Sequence, residues 1–209
     1  MVEDHGPFRI SFYGNGDTGS DTGLVGDEDW TAEQRSDLAA SVAAWDDRIQ
    51  DTPGRQIELH VFWNELDSLG TNVLGSSTSR RTSDGTTIWS LSEYIWREGV
   101  DHSTSVNYDS YLRYDITAAG VSGGWNFGDD STAGNQIDFR SVVAHEVGHS
   151  LGFSSSYRSQ QGDFGWTGSG YRGLTAWDKL LVDGDGTAAP FVGNCAPIGQ
   201  ALAGCTADG

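Results

Sequence analysis

The segment Val142-Val143-Ala144-His145-Glu146-Val147-Gly148-His149-Ser150-Leu151-Gly152-Phe153 constrains this chain more than any other stretch. Its apolar residues recur with helical spacing, which predicts a helix from Asp138 to about Leu151 with Val142, Val143, Val147 and Leu151 buried. Gly152 stands where such a helix should stop. His145 and His149 are four apart, so they share one helix face and both imidazoles can reach one ion. Zinc accepts imidazole nitrogen at about 2.0–2.1 Å. Glu146, next to the first histidine, is placed to reach a metal-bound water rather than the metal. A divalent ion lowers that water's pKa toward about 7, and a carboxylate can then take its proton and pass it to a leaving amine. The competing reading is a helix that happens to carry two solvated histidines.

The rest of the chain reads as mixed strand and helix. Residues 7–13 alternate apolar and polar like a strand, and a Gly/Asp-rich loop follows to about 29. Thr31 and Gln34 form a capping box that opens a helix with Leu38, Val42, Trp45 and Ile49 on one side, closed by Pro53-Gly54. Residues 56–63 alternate cleanly and predict a strand with Ile57, Leu59, Val61 and Trp63 on one face. His60 falls on the opposite, polar face and reads as a surface residue. Residues 64–87 read as a long polar loop of the kind that is often functional. A short helix is expected around 90–98 with Leu91, Tyr94 and Ile95 apolar, then a strand over 108–116 and a Gly-rich passage over 117–137. After the His145 helix come a loop over 154–172 and a short helix over 174–182, with Leu174, Trp177, Leu180 and Leu181 inward. Strict βαβ alternation is absent, so the expected class is α+β.

Composition excludes several functions. The 209 residues carry 12 Lys and Arg against 30 Asp and Glu, a net charge of −18. That field repels phosphate backbones and anionic lipid, so neither nucleic acid nor a membrane is an expected partner. No stretch approaches the roughly 20 apolar residues of a membrane span. Eight tryptophans and eight phenylalanines need a core, which argues against whole-chain disorder. The length fits one domain, expected over 1–190, with a C-terminal tail over 191–209, and a monomer is expected. Residues 1–7 hold neither a basic n-region nor an apolar h-region, so a leader is either lacking or already removed. Cys195 and Cys205 fit one short disulfide loop of a secreted protein, or two idle thiols.

His145-Glu146-Val147-Gly148-His149-Ser150-Leu151-Gly152-Phe153-Ser154 resembles the active-site helix of zincin metallopeptidases, most closely the leishmanolysin-like branch and related bacterial secreted proteases. Leu174–Asp183 resembles a second element of those bacterial relatives. The resemblance covers about 138–186. It implies a zinc-dependent, secreted endopeptidase acting on a peptide or protein, with His145 and His149 as zinc ligands and Glu146 as general base. The implied fold is a zincin-like domain, a twisted mixed sheet packed on the active-site helix and a second long helix. Two features depart from the wider metzincin pattern. Ser155 stands where a third His or Asp ligand is expected, and the only methionine is Met1. No histidine follows His149. The third ligand is then either Asp178 or a residue beyond Gly209, with Asp163 and Tyr157 as weaker candidates. The reading from another class is a non-catalytic zincin-like module that binds peptide or matrix with an incomplete metal site.

Other residues carry less. His5 and His102 are scattered. Tyr157 is a candidate donor to a developing oxyanion, or a loop tyrosine packed on the cleft. Trp125-Asn126-Phe127 suits either a sheet edge that pairs with extended substrate or simple core packing. Asp183-Gly184-Asp185-Gly186 reads as a turn rather than a calcium loop, and Arg80-Arg81 as a processing site or a local charge offset.

Overall fold

The computed structural model describes residues 1–46, 56–70, 72–83, 87–99, 108–128, 135–153, 157–158, 163–164 and 174–175. The elements in chain order are β1 (Val2–His5), β2 (Phe8–Tyr13), α1 (Ala32–Asp46), β3 (Ile57–Asn64), β4 (Gly75–Ser79), β5 (Arg81–Ser83), β6 (Thr87–Ser90), α2 (Leu91–Glu98), β7 (Ser110–Asp115), β8 (Trp125–Asn126), β9 (Ile137–Asp138), α3 (Phe139–Ser150), β10 (Tyr157–Arg158), β11 (Asp163–Phe164) and β12 (Leu174–Thr175). The chain divides into two units, one of residues 1–82 and 90–152, the other of 83–89 and 153–209.

A five-stranded mixed sheet in the order β1-β2-β3-β7-β4 organises the first unit. Its inner strands β2, β3 and β7 run parallel, and β1 and β4 close the two edges antiparallel. Together with three helices this is the expected α+β class. The alternation in β3 works as its sequence requires: Ile57, Leu59, Val61 and Trp63 enter the core beside Phe8, Ile10, Phe12, Leu112 and Tyr114. Leu38 and Val42 of α1, Leu91 and Ile95 of α2, and Phe139, Val143 and Val147 of α3 cover that face. Aromatic rings fill its middle, and Phe139 sits at their centre. Its ring lies 5.2 Å from Trp63, 5.2 Å from Tyr114, 5.4 Å from Trp125 and 5.2 Å from Phe127.

Local signals set the helix ends. At α1 the Thr31 N–H donates to Gln34 Oε1 at 2.8 Å and the Gln34 N–H to Thr31 Oγ1 at 3.2 Å, the reciprocal box that the sequence predicts. Ser90 caps α2 by accepting from the Glu93 N–H, and Asp138 caps α3 by accepting from the Ser141 N–H. Gly99 ends α2 in the left-handed conformation.

The sequence reading needs correction in several places. Residues 64–87 are not a long loop, because β4, β5 and the start of β6 lie within them. Their serines and threonines hide apolar alternation, and β4 is fixed instead by its pairing with β7. The Gly-rich passage likewise holds β8 and β9. His60 is buried at 3% exposure, because Tyr13 and Tyr108 close over it and the Tyr13 hydroxyl lies 3.2 Å from His60 Nδ1. Leu174 and Thr175 pair in parallel with Thr87 and Ile88 as strand, not as the start of a helix. Trp125 and Phe127, for which core packing is one of the two readings, are partly buried against the aromatic core, and Trp125 Nε1 donates to the Asp115 carbonyl at 2.8 Å. Arg80 is tied down, since its N–H donates to the Asp109 carbonyl and its own carbonyl accepts from Leu91. Ile49, Cys195, Cys205, His102 and 183–186 lie outside the described residues.

Phe139→Ala should cost about 3–5 kcal/mol of stability, as large-to-small changes of buried aromatics do. The midpoint of urea unfolding checks it. A loss under about 1 kcal/mol would mean that the aromatic cluster closes over the gap.

Candidate metal centre

Helix α3 carries the motif residues and is held from three sides. On the α1 side, the Trp45 Nε1–H donates to the Ala144 carbonyl at 2.9 Å. The same indole lies over Gly148, where a Cβ would stand 3.1 Å from Trp45 Cζ2. A further tie joins the start of α3 to α1. Asp37, only 1% exposed, accepts from Arg140 Nε at 2.8 Å, from Arg140 Nη2 at 2.7 Å and from the Gly128 N–H at 2.7 Å. Charge-assisted bonds from a guanidinium and a backbone N–H satisfy that buried carboxylate. At the far end Gly152 has φ +98°, and a side chain there would collide with the Glu93 carboxylate.

The third side is the sheet edge. Gly75 of β4 faces α3 so closely that a Cβ would stand 3.0 Å from Glu146 Cγ, 3.1 Å from Glu146 Oε1 and 3.2 Å from Val142 Cγ1. Beside this contact opens a cleft of about 440 Å³, lined by residues 72–75 and by Ser141, Val142, His145 and Glu146. Val142 is therefore half-buried at the cleft wall and not in the core, unlike Val143 and Val147.

The structure brings His145, Glu146 and His149 together as their spacing predicts. The two imidazoles are nearly perpendicular, at 83° with centroids 4.4 Å apart, and their Nε2 atoms approach to 2.9 Å. Two bare lone pairs would repel at that distance, so in the metal-free chain one ring's Nε2–H donates to the other's bare Nε2. Burial, and then the neighbouring His149, push the His145 pKa down and favour the neutral ring that binds metals. This donor set fits two of zinc's nitrogen ligands. Among the described residues no third His, Cys, Asp or Glu joins the pair. Asp178 lies outside the described residues, and of Asp163 and Tyr157 only the backbone is described.

Glu146 differs from the histidines in its surroundings. It is only 6% exposed, although it sits on the cleft wall. Burial raises its pKa, and His149 partly lowers it again. A carboxyl so placed holds a proton more readily than a surface glutamate does.

Sequence reasoning missed Trp45, Gly75, Asp37 and Glu93 as parts of the site. The glycines carry the only signal: Gly148 inside a helix is unfavourable by itself and so marks a close neighbour. No protein-family model, no curated protein and no solved structure matches the chain. Among the described residues no helix is long and apolar enough to cross a membrane.

Burial drives the Glu93 carboxyl up to about 7, against smaller opposing effects of Arg97 and a hydrogen bond at Ser90. The folded state then binds this proton more tightly than the unfolded chain does. Stability from Glu93 is therefore complete below the model-peptide value of 4.5 and is lost as pH rises to about 7. Glu93→Gln should remove a fall of about 3 kcal/mol between those limits, read as parent minus variant in urea melts at several pH values. Parallel pH profiles of the two proteins would refute it.

Proposed function

We propose that this chain is a secreted, zinc-dependent endopeptidase with a zincin-type fold. The observation that carries the reading is the convergence of His145 and His149 Nε2 at 2.9 Å, with His145 and Glu146 on one cleft wall. His145 and His149 would hold the ion, with the third ligand supplied by Asp178 or by chain beyond Gly209. A zinc ion held there supplies a Lewis acid that polarises a carbonyl and acidifies water.

The chain's own residues do the rest. Glu146, buried at the cleft and raised in pKa, takes the proton of the attacking water and returns it to the leaving amine. β4 is the outermost strand of its sheet, paired with β7 on one side, and it borders the cleft at Gly75. An extended peptide added along such an edge is held by main-chain hydrogen bonds and oriented without regard to its sequence. Val73, Leu74 and Val142 make part of the cleft wall apolar, which suits an apolar side chain next to the scissile bond. The net charge of −18 disfavours strongly acidic peptides.

Zinc stoichiometry and affinity, measured on the parent and on Asp178→Ala, test the ligand set. One tightly held zinc that Asp178→Ala loosens supports a self-contained site. Weak binding that ignores Asp178→Ala leaves the site unfinished in this chain and favours a non-catalytic binding module or a missing ligand. His145→Ala should abolish tight zinc binding. Glu146→Gln should keep the metal and slow peptide hydrolysis by about 100-fold or more, as loss of a general base does. Cleavage by Glu146→Gln at the parent rate would rule out the mechanism.

A further inference from the structure

We propose that Tyr114 is a positioning residue for Glu146, its hydroxyl being the buried donor on which the ionised carboxylate is set at the cleft. The inference rests on the hydrolytic reading above and concerns what holds its base in place.

Tyr114 is 0% exposed, with its ring packed among Trp30, Trp63 and Phe139. Its hydroxyl has no hydrogen-bond partner among the described residues. A buried hydroxyl without a partner destabilises a core that phenylalanine would fill at no such cost. Such a group calls for a reason. The register of the sheet supplies one. Tyr114 is paired directly with Gly75 across β7 and β4. Gly75 is the residue whose missing Cβ leaves room for the Glu146 carboxylate. Tyr114 and Glu146 thus lie on the α3 side of the same strand pair, either side of the space that a Gly75 side chain would take, and the Glu146 charge acts on the phenol. Glu146 itself lies on the cleft wall at 6% exposure. A buried donor without an acceptor thus sits on the sheet face that meets the Glu146 carboxylate at Gly75.

The consequence is geometric. A glutamate carboxylate with both oxygens free turns about its last torsion. A base must keep one oxygen on the water it deprotonates. A donor fixed in the core and bonded to the other oxygen selects that orientation. The aromatic cluster makes Tyr114 such a donor, since its ring cannot follow the carboxylate. Ser77 Oγ, also buried without a partner two residues along β4 from Gly75, is the alternative donor.

The test uses the full chain loaded with zinc, comparing the parent, Tyr114→Phe, Ser77→Ala, Glu146→Ala and Tyr114→Phe/Glu146→Ala. Tyr114→Phe should leave zinc stoichiometry unchanged and the thermal midpoint of the metal-free protein unchanged or higher. With a peptide substrate it should lower kcat by about tenfold or more with KM within about twofold. Ser77→Ala should behave as the parent, and Tyr114→Phe should add no loss in the Glu146→Ala background. A second readout needs no activity. The tyrosine hydroxyl signature in ultraviolet resonance Raman spectra, taken as parent minus Tyr114→Phe, should report a donating hydroxyl. Taken as Glu146→Ala minus the double variant, it should report a non-donating one. A parent that binds zinc but cleaves nothing ends the hydrolytic reading, while the spectra still decide the contact. Parent-like kcat in Tyr114→Phe, a kcat loss that follows Ser77→Ala instead, or a donor signature that survives Glu146→Ala overturns the proposal.

Discussion

The Trp45 indole occupies the space that a side chain at Gly148 would need, and its N–H donates to the Ala144 carbonyl one residue before His145. This contact fixes both the height and the rotation of α3 above the core. The same helix meets β4 through Gly75 and Glu93 through Gly152, again where a Cβ is missing. A helix approached this closely on three sides has little freedom to roll. Rolling would move His145 and His149 together but would carry Glu146 off the cleft wall. The relation among the three therefore depends on glycines that contribute no functional group. In a close-packed interior, even one added methyl group at such a contact is felt.

Two buried carboxylates near α3 show opposite electrostatic solutions. Asp37 is held by a guanidinium and a backbone N–H, so its charge is compensated where it lies. Glu93 has Arg97 only at 3.9 Å, and it faces the C-terminal end of α3, where the helix dipole disfavours negative charge. The first arrangement anchors the start of α3 to α1. The second lacks such compensation, and its burial drives its pKa up to about 7.

Much of this was legible in the sequence where the signal was local. The Thr31–Gln34 box, the alternation of residues 57–63 and the i, i+4 histidines each rest on geometry within a few residues, and the structure has them as expected. The failures are of another kind. β4 is a run of Gly, Ser and Thr whose strand character comes from its partner β7, seen only once the chain is folded. His60 alternates outward from the core face, yet the aromatic rings of Tyr13 and Tyr108 bury it from the other side. Val142 follows the apolar period of α3 but falls at the edge of the sheet, where the core gives way to the cleft. Periodicity says which side of a helix is apolar. It does not say where the covering sheet stops.

The same border divides the motif residues of α3. Along α3 the sheet covers Val143 and Val147 fully, covers Glu146 almost completely, and leaves His145 exposed. The border of the sheet, drawn by β4, therefore passes between Glu146 and His145, adjacent residues about 100° apart around the helix. A base gains from partial burial, because a raised pKa suits proton transfer near neutral pH. A metal ligand gains from an open face, because its ion must meet substrate and water. One edge strand, beginning at the glycine where the Glu146 carboxylate needs room, separates the two environments on a single turn of helix.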